Sequence, residues 1–269
     1  MATSRRDRLI ARFQRLSTDR HFRDTQREFV VESIRDIQAV LHGGLRVSAI
    51  LVTSRTAKSS PVQRILNDER WKDVPILYAS ADAFSSFSAT PSGCGIAAIV
   101  EMFRHCLDDY QSAGFRCWLA ISRIRSTGNF GTLIRSAVAA NVQGIFLIGQ
   151  SADPFDPRVI RPAMGALLRI PVIRTSWPKL KNWAVMSGCE IVGACPSANT
   201  DVWQQTLSPG TVFMLGEEGT GLSSRQKKAC HKLVRIPMIR DSDSLNLGVA
   251  GSLLVYEFYR RFSSSETRP

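Results

Sequence analysis

The chain has 269 residues, 44% of them hydrophobic, and its 35 Lys and Arg against 23 Asp and Glu give a formal net charge of +12. That length and apolar content support one large domain or two ordinary ones with a real core, which excludes a disordered chain and a small disulfide-stapled scaffold. The charge balance points to a polyanionic partner, and no apolar run reaches the roughly 20 residues that a bilayer span needs.

The N-terminal segment MATSRRDRLIARFQRLSTDRHFR is charged throughout and lacks the apolar stretch of a secretory signal. Leu9, Ile10, Phe13 and Leu16 recur at helical spacing and predict a short basic helix. Arg5, Arg6, Arg8, Arg12, Arg15, Arg20 and Arg23 make that segment either a phosphate-binding surface or a solvated helix packed on its domain. A first alternating pattern runs from about residue 28 to 103. Phe29-Val30-Val31 leads to the helical SIRDIQAVLHGG, ended by Gly43 and Gly44, and then come VSAILVTS, PVQRILND, VPILYAS, ADAFSSF and GIAAIVEM. Strands alternating with short helices predict a small α/β domain.

The more polar residues 106–115 read as a linker, so the chain divides into an N-terminal domain over 1–105 and a second domain over 116–269. The second domain carries the strand-like runs CWLAIS, GIFLIG, IPVIRT, EIVGAC, TVFMLG and KLVRIPM, with helical segments between them. These strands are continuously apolar, which predicts a parallel sheet covered on both faces. A last helix is expected from about Ser244 to Phe262. Leu245, Val249, Leu253 and Tyr256 share one of its faces, and Leu254 and Val255 widen the apolar surface, as in a deep core helix or a subunit interface. The tail SSSETRP reads as disordered. Cys94, Cys106, Cys117, Cys189, Cys195 and Cys230 form no C-x-x-C pair. His21, His42, His105 and His231 do not group with them, so no zinc site is expected and the thiols suit a reducing compartment.

Three segments at the C-terminal ends of predicted strands hold the candidate chemistry, since ligands of open α/β sheets bind at that edge. In RSTGNFGTLIRSA, residues 125–137, Gly128 and Gly131 flank Asn129 on a strand-to-helix turn, and Arg135 lies on the following helix. In FMLGEEGTGLSSRQ, residues 213–226, Gly216, Gly219 and Gly221 form a loop whose order is neither the dinucleotide fingerprint nor a phosphate loop. Glu217 and Glu218 there would repel a phosphate. In RIPMIRDSDSLNLGVAGSLLVYE, residues 235–257, Ser244 stands where the helix should begin and reads as a possible N-cap, with Asn246 inside the first turn. Each segment alone reads equally well as a plain turn.

Together, and in this order, they resemble the three signature motifs of the SpoU (TrmH) branch of the SPOUT RNA methyltransferases. Asn129, Gly131 and Arg135 match the first motif. Leu215, Gly216, Glu218, Gly221 and Leu222 match the second, and Ile236, Pro237, Met238, Ser244, Leu245 and Asn246 match the third. FVVES and GIAAIVE extend the resemblance more weakly over the first domain. The chain departs from the pattern at Ser122-Arg123-Ile124-Arg125, where an acid is common, at Arg240, where many members have glycine, and at Leu247-Gly248-Val249.

The resemblance implies a catalytic domain with a parallel sheet and a deep trefoil knot, preceded by a small ribosomal-protein-like α/β domain that binds RNA. It implies S-adenosylmethionine as cofactor, with Gly216, Ile236 and Leu245 at the adenosine and Leu215, Gly221 and Met238 beside them. It makes Arg135 the catalytic candidate, with Asn129, Glu218, Ser244 and Asn246 orienting the ribose, the arginine and the methionine end of the cofactor. The expected reaction is 2′-O-methylation of a ribose in structured RNA, ribosomal RNA favoured over transfer RNA, by a cytoplasmic homodimer without a metal. A base methyltransferase of the same superfamily and a non-catalytic RNA-binding or ribosome-assembly factor are the alternatives. A dinucleotide-dependent enzyme fits the α/β pattern but not the glycine spacing. Whether the role is housekeeping or antibiotic resistance stays open.

Overall fold

The computed structural model describes residues 5–88, 94–110, 116–239 and 244–263. The loop with Pro91 and Gly93, the end of the expected linker, Arg240 and the tail from Ser264 lie outside the described residues. The chain forms two compact units, one of Met1–Phe103 with Asp153–Arg169 and one of Arg104–Ala152 with Ile170–Pro269.

The first unit begins with α1 (Arg5–Thr18), α2 (Arg20–Gln26), β1 (Glu28–Glu32), α3 (Ile34–His42) and β2 (Val47–Thr53). It continues with α4 (Ser60–Leu66), β3 (Ile76–Ala79), α5 (Ala81–Ser85) and β4 (Ile96–Glu101). Its four strands lie in the order β1-β4-β2-β3, with β4 antiparallel to both neighbours and β3 parallel to β2. The helical spacing read at the N-terminus has a physical outlet here. Phe13 and Leu16 of α1 are fully buried in a cluster with Val30, Leu51, Ile99, Phe84 and Phe87.

The second unit opens with β5 (Arg116–Arg123), α6 (Thr127–Ala139) and β6 (Gly144–Ile148), after which the chain returns to the first unit with α7 (Pro157–Ala163). It resumes with β7 (Val172–Thr175), α8 (Trp177–Met186), β8 (Glu190–Ala194), β9 (Gly210–Glu217), α9 (Ser224–Ala229), β10 (Lys232–Val234) and α10 (Leu247–Phe262). The six strands form one sheet in the order β10-β8-β9-β5-β6-β7, parallel at every pairing. All but the last residue of β9 are buried, as a strand covered on both faces requires. Helix α10 packs along α6, where Gly251 lets it approach closely: a Cβ there would come within 2.6 Å of Leu133 and 2.9 Å of Leu215. At its far end Arg261 donates to the carbonyls of Val202 and Trp203 and pairs with Glu257.

The packing departs from the sequence-based division in two places. Residues 153–169, read as part of the second domain, cluster with the first unit. Periodicity shows that a helix buries a face but not which sheet receives it. Phe155 settles against Phe29 and Phe103, with ring centroids 4.8 and 5.3 Å away. Conversely, Leu107 and Tyr110, inside the expected linker, pack on the core of the second unit, and the Trp183 indole donates to the Tyr110 carbonyl at 2.6 Å.

The basic N-terminal segment also divides. Arg23 is buried, paired with Asp153 at 2.9 Å and donating to the Leu16 carbonyl at 2.7 Å. Arg12 is tied to Glu28, Nε to Oε2 at 3.0 Å. These two arginines therefore hold the fold rather than a phosphate, while Arg6, Arg8, Arg15 and Arg20 remain exposed. Breaking a buried ion pair leaves an uncompensated charge and costs about 3–5 kcal/mol. Arg23→Met should accordingly lower the unfolding free energy by about that amount in urea titrations. A loss below about 1 kcal/mol would contradict the assigned role.

Asp36 offers a pH test. Burial pushes its carboxyl up to about 6, against the opposing hydrogen bond from Ser33. The folded state then holds the proton more tightly than the unfolded chain. Its stability is greatest below the ordinary carboxylate value and falls as pH rises to about 6, by up to about 3 kcal/mol at about 1.4 kcal/mol per unit. Asp36→Asn should flatten unfolding free energy against pH across that window and stabilise the protein at neutral pH. An unchanged profile would exclude Asp36 as its source.

Candidate active site

The C-terminal edge of the parallel sheet ends in loops that enclose a cavity of about 490 Å³. Its walls come from the ends of β8 and β9, the segment after β10, and the N-terminal ends of α6 and α10. In β9 the strand turns sharply after Gly216. Glu217 and Gly221 exchange backbone hydrogen bonds at 3.0 and 2.9 Å, and Gly219 and Gly221 take left-handed backbone angles. The returning chain touches Gly216 so closely that a Cβ there would lie 2.0 Å from the Gly221 carbonyl carbon. Glycine at 216 is thus a steric requirement.

Glu218 then reaches across to the start of α6. One oxygen accepts from the backbone N–H groups of Arg125 and Ser126, both at 3.2 Å, and the other accepts from Asn129 Nδ2 at 2.7 Å. Asn129 Oδ1 in turn accepts from Asn246 Nδ2 at 2.9 Å. Asn246 Oδ1 accepts from the backbone of Gly248 and Val249 at 2.9 and 3.3 Å. One line of hydrogen bonds therefore joins the three candidate segments. Glu217 faces the other way, with Arg123 Nη1 at 3.1 Å and Arg125 Nη2 at 2.8 Å on one oxygen.

Ten of the eleven residues predicted for the site line this cavity: Asn129, Leu215, Gly216, Glu218, Gly221, Ile236, Met238, Ser244, Leu245 and Asn246. Arg135 does not. It lies exposed on α6, outside the cavity lining. Two local expectations change. Helix α6 begins at Thr127 with Ser126 as its cap, so Gly128, Asn129 and Gly131 stand on the first helical turns rather than on a loop. The cap of α10 is Asn246, not Ser244, which resolves the oddity of an asparagine in a first turn: its short side chain reaches the free N–H groups there.

The sequence reading missed Cys195, Ser197 and Lys227, which line the cavity after β8 and on α9. Cys195 Sγ lies 3.1 Å from Ser197 Oγ. Burial works to raise the thiol's pKa, but the Ser197 hydroxyl and amide and the Lys227 ammonium outweigh it, so it is lowered. The signal was available, since Cys195 ends the run EIVGAC at the same sheet edge. Among the described residues, no group of three His, Cys, Asp or Glu side chains is placed to hold a metal ion, and no helix is long and apolar enough to cross a membrane.

Glu218→Gln keeps the shape but turns an amide NH₂ toward one set of donors that a carboxylate oxygen now satisfies. A partly buried acceptor lost in this way costs about 1–3 kcal/mol. Urea unfolding of the variant should show a loss in that range; no measurable change would mean that the line of hydrogen bonds is not a structural tie.

With the geometry in view, the likeness to known proteins is specific. The model of the SpoU rRNA Methylase family matches residues 116–256, over half of the chain. The 23S rRNA (uridine(2479)-2′-O)-methyltransferase of Streptomyces viridochromogenes is 27% identical over 271 residues, covering 98% of this chain and 93% of that protein. The 23S rRNA (guanosine(2553)-2′-O)-methyltransferase RlmP of Bacillus subtilis is 26% identical over 228 residues, covering 85% and 87%. The crystal structure of the SpoU methyltransferase AviRb from Streptomyces viridochromogenes with AdoMet superposes with a TM-score of 0.86 at 26% identity, covering 95% of this chain and 98% of that one. By its sheet, its three joined segments and the family match over 116–256, this chain belongs to the SpoU rRNA methylase family.

Proposed function

We propose that this protein transfers a methyl group from S-adenosylmethionine to a ribose 2′-hydroxyl of ribosomal RNA. The observation that carries the reading is the cavity whose wall is closed by the Glu218–Asn129–Asn246 hydrogen bonds. Relatives that span nearly the whole chain are named as 2′-O-methyltransferases of 23S rRNA, which supports ribosomal over transfer RNA.

The cavity fits the cofactor chemically. Leu215, Leu222, Ile236 and Leu245 give apolar walls suited to a purine, and the missing Cβ of Gly216 leaves backbone within reach. Glu217 and Glu218 make it a poor phosphate site. When bound, S-adenosylmethionine supplies a methyl group on a positively charged sulfur. Gly216, Ile236 and Leu245 would hold the adenosine, with Leu215, Gly221 and Met238 around them. Asn129, Glu218, Ser244 and Asn246 would orient the amino-acid end and the incoming ribose.

The 2′-hydroxyl is a weak nucleophile that must be positioned and must lose its proton. Guanidinium is almost always protonated and is a poor base. Arg135, outside the cofactor cavity, is suited to grip the RNA phosphate and to stabilise negative charge developing on the ribose oxygen. The knotted path through the loops after β9 and β10 is part of the same proposal. So is an RNA-binding, ribosomal-protein-like role for the first unit. A homodimer is supported by α10, whose Val249, Leu253, Tyr256 and Tyr259 leave an exposed apolar stripe. The proposed setting is the cytoplasm.

The test is methyl transfer from labelled S-adenosylmethionine to purified ribosomal or transfer RNA, followed by nucleoside analysis. Label in a 2′-O-methylnucleoside of ribosomal RNA is the expected result. Label on a base would overturn the acceptor, and label in transfer RNA alone would overturn the substrate. Arg135→Ala should abolish transfer while cofactor affinity, measured by calorimetry, stays within about threefold, under 1 kcal/mol. Activity retained within a few-fold would remove Arg135 from the mechanism.

A further inference from the structure

The first unit holds a second cavity, of about 550 Å³, between α3 and the segment that follows α7. Arg35, Ala39 and His42 recur on one face of α3 and form one wall; Met164, Gly165 and Arg169 form the other. Gly165 sits close against α3, since a Cβ there would meet the Ala39 methyl at 3.3 Å. This closes the floor of the groove with small apolar atoms. At the rim Arg35 Nη1 lies 3.4 Å from Met164 Sδ, and Met164 is 39% exposed. Arg35, His42 and Arg169 are exposed as well. Among the described lining residues there is no Asp or Glu. Asp36, next to Arg35 in sequence, is buried.

We propose that this groove receives one unpaired nucleotide of the RNA, its phosphate met by Arg35 and Arg169 and its base laid against Met164 and the Ala39–Gly165 floor. The inference rests on the RNA reading above and adds a site to it. Three features select the occupant. The basic rim without a counter-charge calls for an anion. The apolar floor calls for a flat, weakly polar body beside that anion. Guanidinium groups offer both a fork for phosphate oxygens and a plane on which a base can stack. The volume lies within the range of about 300–1,000 Å³ that small-molecule sites occupy.

The experiment uses the full chain and deproteinised large-subunit ribosomal RNA. The double variant Arg35→Gln/Arg169→Gln changes exposed residues only, and its fold is checked by thermal melting and by its S-adenosylmethionine affinity. RNA binding is followed between low and physiological salt. Each lost phosphate contact on a single strand should make the log–log salt dependence shallower by about 0.7, so the variant should lose about 1.4 and bind several-fold more weakly. The KM for RNA should rise with kcat retained. In parallel, RNA carrying 4-thiouridine should cross-link to the peptide containing Met164. An unchanged salt slope, or cross-links that avoid this groove while the wild type binds and methylates RNA, overturns the groove alone. A wild type that binds no ribosomal RNA overturns the RNA reading and the groove with it.

Discussion

The candidate site depends on one carboxylate. Glu218 accepts hydrogen bonds from two backbone N–H groups and from Asn129, and through Asn129 it is tied to Asn246 and the first turn of α10. Side-chain pairs of this kind contribute modestly when made and cost more when broken, because a buried donor without a partner keeps its full desolvation penalty. The chain therefore has a strong preference for the one arrangement in which β9, α6 and α10 end at the same place. An asparagine that caps one helix while bonding to the asparagine at the start of another leaves little freedom in how those helices meet.

Close packing enforces what the polar groups specify. The glycines at 216 and 251 occupy points where a side chain has no room, the first under its own returning loop and the second against Leu133 and Leu215. Beneath them, Trp118 stacks on Phe146 and meets Trp183 edge-on, giving the parallel sheet a rigid aromatic centre. The cavity thus rests on a firm base, and its variable parts are the loops alone. This is the division of labour expected where a scaffold supports a site on connecting segments.

Charge is used in two ways. Part of the strongly basic composition is spent inside the molecule: Arg23 and Arg12 neutralise acids within the first unit, and Arg261 caps carbonyls at the end of α10. Arginine suits such places because its planar fork satisfies several acceptors at once. The exposed remainder, which includes Arg6, Arg8, Arg15, Arg20, Arg35, Arg135 and Arg169, is what an RNA can meet. Composition counts both kinds alike, so the net charge of +12 overstates the surface available for phosphate.

The sequence by itself determined the strands of the second unit, their parallel character and the segments that line the cavity, because those depend on local hydrophobic runs and on residue types that few other roles require. Its motif spacing also carried the family, which the match over residues 116–256 bears out. Only the tertiary structure decided the rest. It gave residues 153–169 to the first unit, since an amphipathic helix does not encode which sheet will cover it. It made Asn246 rather than Ser244 the cap, since both residue types favour that position and the neighbouring Asn129 selects between them. It set Arg135 outside the cavity and Cys195 and Lys227 within it, since the residues that meet at a sheet edge are fixed by strand order, a contact between distant segments that no local pattern records.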